Sequence, residues 1–105
     1  MVVDFEAVKA LAQDYAADVK RALPVDKAVL YGSYAKGNAT EMSDIDVCFL
    51  LRDFGGKRKV DVIVELFDLC DNYRDAFFEP IAFQTSEIER GNPFVMEILA
   101  TGIEI

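Results

Sequence analysis

Histidine is missing altogether from these 105 residues. Its absence excludes Ser-His and Cys-His nucleophilic sites and the common zinc constellations, which need an imidazole. Chemistry is left to carboxylates, hydroxyls, Lys, Arg, backbone amides and a hard cation. Basic residues are scarce: 11 Lys and Arg stand against 19 Asp and Glu, for a net charge of −8. A general nucleic-acid binder needs the opposite surplus, to displace counterions from phosphates. A membrane-surface role is disfavoured on the same ground. The two cysteines, Cys48 and Cys70, lie in apolar patterns without Cys-x-x-Cys spacing. Both are expected to be reduced, buried thiols of a cytoplasmic protein. No apolar run is long enough to span a bilayer. The start, Met1-Val2-Val3 followed by Asp4 and Glu6, lacks the basic region and apolar core of a secretion signal.

What is present suffices for one domain over residues 1–105. Apolar residues make up 52% of the chain, enough for a single core. Residues 4–23 read as an amphipathic helix. Phe5, Val8, Ala12, Tyr15, Ala16, Val19 and Leu23 form one stripe, Asp4 can cap it and Pro24 ends it. Residues 27–31 are a short buried strand broken by Gly32. Residues 33–36 form a helical turn stopped by Gly37-Asn38, 38–43 a polar loop, 44–52 a second strand and 53–56 a turn.

Residues 60–73 open with β-branched side chains that could pass for a strand. The longer pattern Val60, Ile63, Val64, Phe67, Cys70 favours a helix. Leu66, Leu69 and Tyr73 widen its apolar face, which suggests burial on two sides, one of them against another chain. Residues 76–83 are a third strand. Pro80 cannot donate to a ladder, so this strand is an edge or carries a bulge. Ser86 and Glu89 have capping-box spacing and open a short helix. Asn92 and Pro93 start another, with Phe94, Val95, Ile98 and Leu99 facing the core, and Gly102 closes it. Residues 103–105 add a last short strand. Lys57-Arg58-Lys59 is the one basic cluster, read as a solvated loop or a contact for a nucleotide or acidic partner.

The stretch from Tyr31 to Leu51 carries the chemistry. Side chains two apart on a strand share a face, so Asp44 and Asp46 project together. Converging carboxylates raise each other's pKa unless a cation joins them. Mg²⁺ takes such a pair together with substrate phosphate oxygens and water. Asp-x-Asp alone is also an ordinary strand start, because Asp is common near turns. Gly32-Ser33 alone is equally an ordinary turn. Together they place a phosphate cradle beside a metal site. Gly32 lets the backbone approach a ligand, Ser33 adds a hydroxyl and Lys36 a positive charge.

Gly32-Ser33, ten residues, then Asp44-Ile45-Asp46 resembles the signature of the DNA polymerase β-type nucleotidyltransferase superfamily. The strings Tyr31-Gly32-Ser33-Tyr34-Ala35-Lys36-Gly37 and Ser43-Asp44-Ile45-Asp46-Val47 are similar to its minimal nucleotidyltransferase (MNT) branch. So is the ending from Gly91-Asn92-Pro93-Phe94 through Gly102-Ile103. The resemblance implies an α/β fold of the α+β kind: one small mixed sheet of three to four strands flanked by helices. It implies transfer of a nucleoside monophosphate, AMP from ATP or a unit of another NTP, with Mg²⁺ as cofactor. Asp44 and Asp46 match the family's metal-binding aspartates, and Gly32 and Ser33 the residues that hold the triphosphate. Lys36 and Ser43 join them as candidate nucleotide-binding residues. Glu79 is the match for a third catalytic and metal-binding carboxylate, where the family usually has Asp; an exposed edge-strand Glu is the plain alternative.

Relatives that act on antibiotics or nucleic acids carry a second domain that completes the acceptor site. Here a partner chain is expected to supply it. Members of the MNT branch are commonly paired with a small helical HEPN protein, a ribonuclease-type toxin, and act as its antitoxin by attaching AMP to a tyrosine. The alternative is a non-catalytic antitoxin module that occludes its partner and keeps only a vestigial nucleotide site. A homodimer that completes a free-standing enzyme is compatible with the first reading.

Overall fold

The first amphipathic stretch forms helix α1, Phe5–Ala22. Asp4 caps it by accepting from the Ala7 N–H at 3.1 Å. Ala12, Tyr15, Ala16 and Val19 are its fully buried positions, as the stripe predicts. Leu23 leaves the helix in an extended conformation, and the chain passes through Pro24 straight into strand β1, Val25–Tyr31. That strand starts two residues earlier than expected. The extra turn of chain is a bulge, because the register slips between Val25 and Lys27. Asp26, at the slip, accepts from the Thr85 hydroxyl at 2.6 Å.

In a computed structural model of the chain, residues 4–40, 43–73 and 76–105 are described. Positions 41 and 42 of the expected polar loop lie outside them. After β1 come α2 (Ser33–Lys36), β2 (Ile45–Leu51), α3 (Lys59–Leu69), a 3-10 turn (Cys70–Tyr73), β3 (Phe78–Gln84), α4 (Ser86–Glu89), α5 (Pro93–Thr101) and β4 (Ile103–Glu104). The four strands form one sheet in the order β3-β2-β1-β4. β1 runs antiparallel to β2 and β4, and β3 runs parallel to β2. α3 is the crossover that a parallel pair requires. The result is the expected mixed sheet with helices on both faces. β3 is an edge strand, which tolerates Pro80. Its register against β2 runs unbroken from Ile45↔Phe78 to Leu51↔Gln84, so there is no bulge.

One face of the sheet packs on α1 and α3 through Leu30, Val47, Phe49 and Leu51. Tyr15 is its hub. Its ring meets Phe49 edge-on at 5.5 Å and Phe78 at 4.6 Å, and its hydroxyl donates to the Leu66 carbonyl at 2.7 Å. That bond ties α1 to α3. Tyr15→Phe should cost about 1 kcal/mol, at the low end for a buried hydrogen bond. The Leu66 carbonyl keeps a second donor in the Cys70 thiol at 3.3 Å. The shift of the urea midpoint checks this. The other face packs Val29, Cys48 and Leu50 against Val95 and Ile98 of α5.

Several expectations need correcting. The α3 helix exists, but its phase differs: Val62 and Leu66 are buried, while Val60, Val64 and Phe67 stand exposed. Apolar residues occur nearly all round this helix, so spacing alone could not choose the core side. Cys48 is buried as expected, whereas Cys70 is half-buried. Ser86 does not cap α4; Thr85 occupies that position and makes no side-chain cap bond. Its hydroxyl is spent on Asp26 instead. Asn92 caps α5 as expected, accepting from the Phe94 and Val95 N–H groups. Phe94 itself is half-exposed rather than a core residue. Among the described residues, no helix is long and apolar enough to cross a membrane.

Candidate active site

Three strands bring their side chains to one row. Asp46 of β2 is in register with Tyr31 of antiparallel β1 and with Glu79 of parallel β3. Cross-strand partners point to the same face, so Tyr31, Asp46 and Glu79 share it. It is the face of Cys48 and α5, at the end where the apolar cover gives way to carboxylates. Asp44 lies just before β2 and is exposed, Asp46 is half-buried and Glu79 is exposed. The expected strand from 44 to 52 is therefore shorter at both ends. Asp44 is released from the ladder and can turn toward a ligand.

Gly32 closes the site from below. Its φ of +73° belongs to the left-handed half of conformational space, open to glycine at little cost. A Cβ placed there would stand 2.2 Å from Oδ2 of Asp46. The missing side chain is thus the space in which the Asp46 carboxylate sits. Ser33 opens α2 directly after it, and Lys36 stands exposed at the end of that turn. The turn is tied by the Lys36 N–H to the Gly32 carbonyl at 3.0 Å and the Asn38 N–H to the Ser33 carbonyl at 3.1 Å. Ser43 is used differently: its hydroxyl accepts from the Thr40 N–H at 2.9 Å.

The electrostatics follow from this crowding. Burial pushes the Asp46 carboxyl above the ordinary aspartate value, and the neighbouring Asp44 and Glu79 charges push it the same way. Burial, then the charges of Asp46, Cys48 and Glu79, lift the Tyr31 phenol to about 12. Such mutual repulsion is what a cation relieves. The donors are carboxylate oxygens with no histidine or exposed thiol among them, a set that suits Mg²⁺. Among the described residues, no three acidic or thiol side chains already converge as a metal cage. Mg²⁺ sites are commonly built from one or two carboxylates and completed by substrate phosphates and water. The residues present fit that kind of site.

The structure thus brings Gly32, Asp46 and Glu79 together, with Asp44 and Ser33 beside them. It leaves Lys36 on the rim and engages the Ser43 hydroxyl with the Thr40 N–H. The basic cluster is exposed, as a solvated segment would be, but its charges are partnered. Lys57 pairs with Glu65 and Arg58 with Asp61, while the Lys59 ammonium sits 3.5 Å from the centre of the Phe83 ring. Tyr31 was missed as a member of the site, although its place beside Gly32 put it at the same strand end.

A nucleotidyltransferase-domain family model matches residues 13–92 of the chain. The chain belongs to the nucleotidyltransferase family. It is a transferase of that type, as the signature residues imply. This nucleotidyltransferase is 26% identical over 100 residues to "Putative protein adenylyltransferase MJ0141" of Methanocaldococcus jannaschii, covering 95% of this chain and 96% of the relative. It also shares its fold with a solved structure described as a putative nucleotidyltransferase from Sulfolobus solfataricus. The TM-score is 0.63 at 19% identity, over 82% of this chain and 75% of the other.

Proposed function

We propose that this nucleotidyltransferase moves AMP from ATP to a tyrosine hydroxyl of a small helical HEPN partner, which it thereby neutralises as an antitoxin. The row of Asp46 and Glu79 over the Gly32 cradle is the observation that carries the reading. The protein-adenylyltransferase name of the archaeal relative supports AMP as the transferred unit. Asp44 and Asp46 would hold Mg²⁺, with Glu79 as a third ligand. Bound there, Mg²⁺ would neutralise charge that builds on the α-phosphate during displacement. Gly32 and Ser33 present backbone amides and a hydroxyl to the triphosphate, and Lys36 adds positive charge at the rim. Glu79 is exposed and available to take the proton of the acceptor hydroxyl. Most of the rate then comes from positioning and fixed charge.

The test is incubation of the protein with its helical partner, Mg²⁺ and ATP, followed by mass spectrometry of the partner. The expected product is an AMP adduct on a tyrosine, lost when EDTA is added. An unmodified partner would contradict the reading.

A second reading is favoured by one observation: Val60, Val64 and Phe67 stand exposed along α3, a surface suited to occluding a partner without chemistry. Under that reading the Asp44→Ala/Asp46→Ala double variant still protects cells from the partner. Under the enzymatic reading it does not.

A further inference from the structure

One aromatic ring on the Asp46 face of the sheet takes no part in the chemistry above. Phe94 belongs to the first turn of α5, a position where the apolar pattern calls for a core residue, yet it is 47% exposed. It is nonetheless held firmly. Its ring meets Tyr31 at 6.1 Å with an interplanar angle of 87°, and Phe83 at 5.8 Å with 50°. The backbone beneath it is fixed by the Asn92 cap, whose side chain accepts from the Phe94 N–H at 3.0 Å, and by Pro93 at the first helical position. An exposed ring buttressed on two edges is prepared to stack on a flat ligand, because little side-chain freedom remains to be lost on binding.

Its location names the ligand. Tyr31, the ring that Phe94 touches, is the register partner of Asp46, and antiparallel partners lie about 5 Å apart at the backbone. Phe94 therefore lies on the same face of the sheet as the carboxylate row, between Tyr31 in that row and Phe83, the register partner of Leu50 further along. Phe77 is the other exposed ring near that row, at 61%. It makes no ring contact among the described residues and lacks such buttressing. Phe83 already has the Lys59 ammonium over its face. Phe94 is the ring with both a free surface and a fixed orientation.

We propose that Phe94 is the platform on which the nucleobase of the bound nucleotide stacks, so that base binding and phosphate binding are divided between α5 and the Gly32–Asp46 cradle. The inference rests on the nucleotidyl-transfer reading and adds the base subsite to it. Stacking on an aromatic ring accepts any base, since every base has a π-face. Phe94 thus contributes affinity, and discrimination among bases has to come from elsewhere.

The chain has no tryptophan, which makes the test clean. Binding of Mg²⁺–ATP and of Mg²⁺–tripolyphosphate, which lacks a base, is measured by calorimetry on the full chain. Phe94→Ala should weaken ATP about tenfold or more and leave tripolyphosphate within twofold of the wild type. Phe94→Trp should retain ATP affinity, and fluorescence of the introduced tryptophan should be quenched by ATP but not by tripolyphosphate. Equal ATP affinity in the wild type and Phe94→Ala overturns the platform while leaving the nucleotidyl-transfer reading intact. Equal weakening of both ligands also overturns it, because the ring would then be acting through the fold. A wild type that binds neither ligand overturns both readings together.

Discussion

Asp46→Asn should lower nucleotidyl transfer about a thousandfold while leaving the protein folded and, at neutral pH, more stable. The first effect follows from the position of Asp46 at the centre of the row, between Asp44, Glu79 and the Gly32 cradle. Removing one fixed charge at the point where transition-state charge develops commonly costs two to three orders of magnitude, or roughly 3–4 kcal/mol. The second effect follows from the direction of the Asp46 pKa. It is raised by burial and by the neighbouring carboxylates, so the native state holds its proton more tightly than the unfolded chain does. Stability then falls as pH rises wherever the native state binds the extra proton. The penalty is absent below the ordinary aspartate value. It grows through the carboxylate range and is complete above the elevated native pKa. The amide carries no such penalty, so the Asn variant should gain stability at neutral pH and lose part of the wild type's pH dependence. Thermal melts between pH 4 and 8, run beside the transfer assay, check both halves. A variant that lost activity and stability together would mean that Asp46 is structural.

Gly32→Ala should be the most damaging single methyl that can be added to this chain at the site. Its Cβ would stand 2.2 Å from Oδ2 and 3.2 Å from Cγ of Asp46. In addition, φ of +73° strains any L side chain, at a cost of order 1–3 kcal/mol. The fold can yield in two ways, by moving the Gly32 turn or by expelling the Asp46 carboxylate. Either displaces the carboxylate oxygen that would hold Mg²⁺ under the proposed function, and misplacement by about 1 Å is enough to cost two orders of magnitude in rate. We therefore expect a loss of about 2 kcal/mol in urea denaturation and at least a hundredfold loss of transfer. Gly37→Ala serves as the comparison. It shares the positive φ, at +79°, but has nothing within 4 Å of its Cβ position. It should lose stability without a comparable loss of chemistry.

Parts of this architecture are legible in the chain itself because they depend on local rules. Asp4, the stripe through Tyr15 and Val19, and Pro24 fix α1. Asn92-Pro93 fixes the start of α5. Gly32-Ser33 and Asp44-Ile45-Asp46 mark the two strand ends at the site. The remainder depends on long-range pairing. Glu79 is matched through the family resemblance alone: it lies 33 positions beyond Asp46 by its number, and the parallel register of β3 on β2 is what sets the two side by side. In α3, β-branched and aromatic residues occupy both sides, so spacing could not tell Val62 and Leu66 from the exposed Val60, Val64 and Phe67. Thr85 rather than Ser86 leads into α4, and its hydroxyl bonds Asp26 at the β1 bulge instead of capping the helix. Phe94 reads as a core residue by periodicity. The structure leaves its ring partly open because Val95 and Ile98 already fill the face beneath.

The most direct test uses ATP labelled at the α-phosphate, with Mg²⁺ and the proposed helical partner, on the wild type, Asp46→Asn and Glu79→Gln. The account predicts label on the partner and matching release of pyrophosphate with the wild type, near-complete loss with Asp46→Asn, and a strong reduction with Glu79→Gln. Labelling that persists at the wild-type rate in Asp46→Asn would contradict it.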